Sequence, residues 1–321
     1  SIRRGGKIML DIIYNGLDVI LPFAWINHVF MKNAFLAVLM ITPLLGILST
    51  MVVSNRMAFF SDSLGHGAFT GVAVGVLLGS GEPLVSLIIF SIIFAALITY
   101  IKHRSSASTD TIIGVFSSAG IAIGLILMSH GGNFSNYTSY FIGDILSITA
   151  NELVYLFITF IVVVIAWCFL FNQILIISIN DGFAASRGIK TLYIEMIFAA
   201  IVAVVVSISI QWVGLLIINS LLILPAAAAR NIAVNARQYH ALSICFAICA
   251  GLLGLVISYY ADIATGATIA IFAAIIFFIT NSLVISLIAF SAALYPSFLK
   301  KSSIFSGSIT PQFFKTLLSC F

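Results

Sequence analysis

Apolar runs, each about as long as a lipid-crossing helix, follow one another along this chain and are separated by short polar stretches. At roughly 20 mostly apolar residues per crossing, the runs predict helices near 33–53, 60–79, 84–101, 110–129, 151–171, 191–210, 212–229, 239–259 and 266–290. The fold class this implies is all-α: a polytopic membrane protein with about nine transmembrane helices, or ten if residues 10–30 also cross. Lys and Arg gather in the loops at Arg56, Lys102–Arg104, Arg187–Lys190 and Arg230 to Arg237, whereas 80–83, 130–150 and 260–265 carry neither. Basic loops stay in the cytoplasm, so these loops and the tail after Tyr295 are expected there, and residue 33 on the outer side. Arg3, Arg4 and Lys7 at the start conflict with that alternation unless residues 10–30 form a further crossing or lie on the outer surface as an amphipathic segment. The expected organisation is therefore an N-terminal amphipathic segment or extra span at 1–32, a transmembrane domain at 33–295 and a cytoplasmic tail at 296–321.

Composition removes the alternative of a water-soluble fold. Of 321 residues 62% are hydrophobic and 7% charged, against roughly 45–50% and about 25% in a soluble domain. The net charge of +4 comes from clusters at segment ends, which orient a membrane protein; no basic stripe interleaved with aromatics points to nucleic acid. Cys168, Cys245, Cys249 and Cys320 read mainly as small buried hydrophobes. The stretch 130–150 is too polar to span and too apolar for an ordinary loop, which suggests a short re-entrant element at a water-filled mouth.

Enzyme chemistry finds little to build on. Gly6-Lys7 is followed by Ile8 and lacks the upstream glycine of a phosphate-binding loop, so the chain does not hydrolyse nucleotide alone. A Ser-His-Asp arrangement, paired carboxylates and the metalloprotease helix motif are missing too. No permanently bound cofactor is expected.

Charges inside the spans are the remaining signal, since each costs at least about 2.5–3.5 kcal/mol near a helix centre. Asp62 and His66 are four residues apart and share a helix face, with Thr70 on the next turn. A rise of about 1.5 Å per residue from Met57 puts them roughly 8 and 14 Å deep in a ~30 Å hydrocarbon layer. Such a pair is a candidate cation site or a self-satisfied Asp–His contact. On the adjacent stripe Gly67, Gly71, Gly75 and Gly79 repeat every four residues, a ridge that lets helices approach closely. If two copies met on a two-fold axis, two aspartates and two histidines would surround one point, a ligand set suited to zinc and also to manganese or ferrous iron.

Two other segments stand out. In 179–190, Asp181 can cap a short helix, Ala184 and Gly188 give it a close-approach face, and Gly188 can end it; this reads as a docking element or as a plain interhelical turn. In 212–231, Asn219, Ser220 and Pro225 interrupt an apolar span, and Pro225 is expected to kink or loosen it, as a gate or as an ordinary proline-containing helix. Asp144 and Asp262, with Glu152 at the edge of the next span, are the carboxylates of the outer connections; either aspartate can draw a cation inward or cap a helix.

Four stretches together carry a family resemblance: NRMAFFSDSLGHGAFTGVAVGVLLG at 55–79, YFIGDILSITANEL at 140–153, GLLIINSLLILPAAAAR at 214–230 and GLLGLVISYYADIATGATIAIFAAIIFF at 251–278. Over about residues 33–290 the chain resembles type II permease subunits of ATP-binding-cassette importers for zinc, manganese and iron, most closely the zinc-uptake permeases. The resemblance implies a transported divalent ion, a second permease copy, a separate cytoplasmic ATPase dimer, a periplasmic metal-binding protein and residence in a bacterial inner membrane. It also implies that Asp62 and His66 belong to the second span's metal pair and that Ala184 with Gly188 form the element that couples to the ATPase. Ala264 stands where the outer segment often has proline, and Asn55 where a second arginine is common. The competing readings are a proton-coupled secondary transporter in which Asp62 and His66 relay protons and an intramembrane hydrolase, for which no nucleophile is placed beside them.

Overall fold

Long uninterrupted apolar runs leave helix as the way to satisfy backbone groups away from water, and the described residues form ten α-helices, nine of them long. In the structure, a computed structural model, residues 14, 16, 24–79, 83–131 and 145–302 are described. The helices are α1 (Val29–Ser54), α2 (Phe60–Leu77), α3 (Pro83–Arg104), α4 (Thr109–Gly131), α5 (Ala150–Ile179), α6 (Asp181–Ser186), α7 (Thr191–Val213), α8 (Leu215–Ile232), α9 (Ala236–Ala261) and α10 (Thr265–Ser302). Short 3-10 turns lie at Ala24–Asn27 and Ile145–Ser147, and the described residues contain no strand. Eight of the helices are long and apolar enough to cross a membrane. The helix at the ninth expected crossing, α2, has 18 residues but holds Asp62, His66, Thr70 and several serines and glycines, so it depends on its neighbours for shelter.

Several helix ends differ from expectation for local reasons. Helix α5 starts at a capping box, in which Glu152 Oε2 accepts from the Thr149 amide at 2.7 Å and from its hydroxyl at 2.9 Å. It continues to Ile179, 30 residues or about 45 Å, and so outruns the hydrocarbon layer. Asn235 caps α9 by accepting from the Gln238 amide at 2.9 Å. Helix α10 runs through Pro296 to Ser302 rather than stopping near 290. The expected re-entrant element at 130–150 and the segment 10–30 lie largely outside the described residues.

The chain divides into two units, Ser1–Phe278 and Ile279–Phe321; the described part of the second is the later portion of α10. In the first unit α1 is mostly buried and packs on α9 and α8. A Cβ on Gly46 would meet Ala247 Cβ and the Ile244 backbone at 3.0 Å, and one on Gly251 would come closer still, 2.8 Å from Val38 and 2.4 Å from Thr42. Hydroxyls lock the pair: Ser49 and Ser243 are 2.9 Å apart, and Thr50 Oγ1 lies 2.7 Å from His240 Nδ1. Helix α2 is packed against α3, α4, α7 and α8, which buries Ser61, Ser63 and Thr70 and leaves Asp62 and His66 partly exposed.

Candidate metal site

The first turn of α2 carries Asp62, where exposed backbone N–H groups favour a negative charge. His66 follows one turn later. Its Nε2 lies 3.4 Å from Asp62 Oδ2, and the two side chains are 30% and 41% exposed respectively. Asn219, on α8, donates from Nδ2 to Asp62 Oδ1 at 2.8 Å. Each carboxylate oxygen therefore has its own neighbour, which fixes the plane of the group. The amide oxygen of Asn219 is buried without a hydrogen-bond partner, as are the hydroxyls of Ser61 and Ser63 on either side of Asp62. Leaving such a group unpaired costs about 1–3 kcal/mol, so a polar cluster has been sheltered here at a cost to folding. Among the described residues no three His, Cys, Asp or Glu side chains come together; one chain offers Asp62 and His66 with the Asn219 amide beside them.

Other expected residues fall as follows. Thr70 is not in the cluster: its hydroxyl donates to Gly120 O on α4 at 2.6 Å. The glycine ridge holds for part of its length. Gly67 faces Phe94 of α3, its backbone approaches Gly120 of α4, and Gly71 faces Leu87 and Phe90 of α3; Gly75 is also buried. Gly79 does not belong to it. It lies beyond the end of α2 with φ +72° and nothing near its Cβ position, because the helix closes at Leu78 with a left-handed residue after it. On α4, Gly124 completes the packing, since a Cβ there would lie 2.8 Å from the Thr70 nitrogen.

In the connection between α5 and α7, α6 is the expected short helix, but its cap is Asn180, whose Oδ1 accepts from the Phe183 amide at 2.9 Å. Asp181 is the first helical residue. Ala184 is fully buried against its own chain and so leaves the outward surface to Phe183, Arg187 and Gly188. Phe183 is 49% exposed with the Arg187 guanidinium 4.7 Å over its ring. Gly188 ends the turn with φ +78°, a conformation that needs no Cβ.

Pro225 is buried within α8, which continues past it to Ile232. Asp262 is exposed and caps the C-terminus of α9 with φ 54°, a left-handed position that Asp tolerates. Asp144 lies outside the described residues. Cys245 and Cys249 are exposed and free.

One cluster escaped the sequence reading. Glu195 of α7 is buried, and its Oε2 lies 3.0 Å from both Lys102 Nζ and His103 Nε2 at the end of α3. A lone carboxylate at the start of an apolar span was the available signal. Its partners are some ninety positions away, and their basic character had already been accounted for by topology.

A model of the ABC 3 transport family matches residues 27–310. The chain belongs to that family. It is 28% identical over 249 residues, 77% of its own length and 95% of the relative's, to the high-affinity zinc uptake system membrane protein ZnuB of Buchnera aphidicola subsp. Baizongia pistaciae. It is equally 28% identical to the manganese import system permease protein ScaB of Streptococcus parasanguinis, over 78% of this chain and 89% of that one. Among solved structures it resembles PsaBC from Streptococcus pneumoniae in complex with Fab, with a TM-score of 0.69 and 26% identity over 84% of this chain and 95% of that one. This is a multi-pass membrane permease of an ABC metal importer, a transport subunit built almost wholly of helices.

Proposed function

We propose that this permease imports zinc, and that two copies meet so that Asp62 and His66 of each line one ion path. The observation that carries the reading is the Asp62–His66 contact, partly open on one side and tied to Asn219 on the other. Two donors from one chain are too few for a first-row ion, which takes four or more ligands. Two copies supply two carboxylates and two imidazoles, whose combined charge balances a divalent cation. Such a set releases its ion more readily than a closed cage of thiolates, as a transport site must.

Energy comes from a separate ATPase dimer in the cytoplasm, engaged through α6 by Phe183, Arg187 and Gly188. A periplasmic metal-binding protein delivers the ion at the outer face, where Asp262 and Asp144 add weak attraction that salt screens. The membrane is a bacterial inner membrane. Manganese is the second reading, because a relative named for zinc and one named for manganese are each 28% identical to this chain; ferrous iron fits the same donors.

The test is uptake of zinc, manganese and iron, compared side by side, in cells lacking their own importers and supplied with this permease and its partners. Zinc uptake at the lowest metal concentrations, lost when the ATPase is inactivated and kept when the pH gradient is collapsed, is expected. Uptake that follows the pH gradient instead would make the protein proton-coupled.

A further inference from the structure

Asn219 reaches the Asp62–His66 pair from another helix, and the two ends of its amide meet different fates. Nδ2 donates to Asp62 Oδ1 at 2.8 Å, while Oδ1 is buried with no hydrogen-bond partner. Charge sets this orientation, because the inverted amide would place its oxygen against a carboxylate oxygen with no proton between them. Helix register holds the amide there. Leu215, one turn earlier on α8, packs so closely over Gly65 of α2 that a Cβ on that glycine would lie 2.0 Å from Leu215 Cδ1. Leu215 and Asn219 share one face of α8, as Gly65 and Asp62 share one face of α2, so the contact that seats Leu215 also seats the amide on the carboxylate.

A buried amide oxygen without a partner calls for an explanation, and an ion is one. On the amide that holds the Asp62 carboxylate, that oxygen would extend the donor set by a neutral, hard ligand. Carboxylate and carbonyl oxygens suit manganese, which accepts six ligands, whereas zinc is satisfied by four with nitrogen among them.

We infer that Asn219 is a positioning and selectivity residue of the metal site: its NH2 group fixes the Asp62 carboxylate, and its carbonyl oxygen is a further ligand that raises affinity for manganese relative to zinc. This rests on the reading of Asp62 and His66 as the ion site. The full-length chain in lipid nanodiscs allows a test without partner proteins, by titrating Mn2+ and following the free ion by electron paramagnetic resonance, then displacing it with Zn2+. Asn219→Leu, similar in size and without either polar atom, is expected to weaken Mn2+ binding by about tenfold or more, the equivalent of one hydrogen bond to a charged group, and to weaken Zn2+ less. Asn219→Asp keeps an oxygen donor and is expected to keep the Mn2+ to Zn2+ ratio; Asn219→Ala replaces the leucine variant if that one does not insert. Equal weakening of both ions, or no change in either, overturns the inference and leaves Asn219 a structural residue. Binding that survives Asp62→Ala overturns the site reading itself, which is a separate result.

Discussion

Glycine does different work at different positions of this protein, and the differences predict unequal responses to a single methyl group. Gly124 faces the backbone nitrogen of Thr70, which cannot turn aside as a side chain can. Gly124→Ala should push α2 and α4 apart and cost about 1–3 kcal/mol, read as a lower melting temperature in detergent. Gly79 has open space around it and only its φ to protect, so Gly79→Ala should cost less. Equal losses would mean that the α2–α4 contact is not close-packed. The four-residue spacing revealed Gly67 and Gly71 in the sequence, since periodicity marks a face. It did not reveal that Gly79 falls beyond the helix end, because the spacing continues where the helix does not. Asp62 and His66 were legible for the same reason of spacing. The hydrogen bond from Asn219 was not, because it depends on how two helices distant in sequence pack together.

At the scale of elements, the links between helices carry the account. Glu195 ties the start of α7, just after α6, to the end of α3, which packs on α2. Glu195→Ala leaves Lys102 without its counter-charge and should cost about 3 kcal/mol or more. Adding Lys102→Met in the same chain should recover much of that loss, and a double-mutant cycle in thermal unfolding measures it. Lack of recovery would show that Glu195 acts through His103 or packing alone. For α6, Gly188→Trp places a bulky side chain at a left-handed turn on the outward surface and should uncouple ATP hydrolysis from uptake in the assembled importer. Phe183→Ala should weaken the same contact without distorting the turn. Unchanged ATPase stimulation and uptake in both variants would reduce α6 to a connector. Length and apolarity disclosed each long helix of the described residues, including α2 with its low hydropathy. The cap of α6 was misassigned by one residue, because Asn and Asp are near-equal caps and stand side by side at 180 and 181.

For the whole molecule, the composition requires lipid and the family model spans most of the chain. Asp262 and Asp144 belong to the outer approach in this account, so Asp262→Asn or Asp144→Asn should slow uptake modestly at limiting metal and lose that effect at saturation. Abolished uptake at every concentration would assign them to a gate instead. The proposed pairing of two copies rests on arithmetic, since among the described residues one chain brings too few donors together. The central claim is that Asp62 and His66 hold the ion in transit. Its most direct test is initial-rate uptake of radioactive zinc and manganese by cells carrying the assembled importer, with Asp62→Ala and His66→Ala variants matched for protein level in the membrane. The account predicts that each variant loses uptake of both ions, by at least about a hundredfold for two lost ligands of four, while retaining its fold; near-normal uptake in both variants would contradict it.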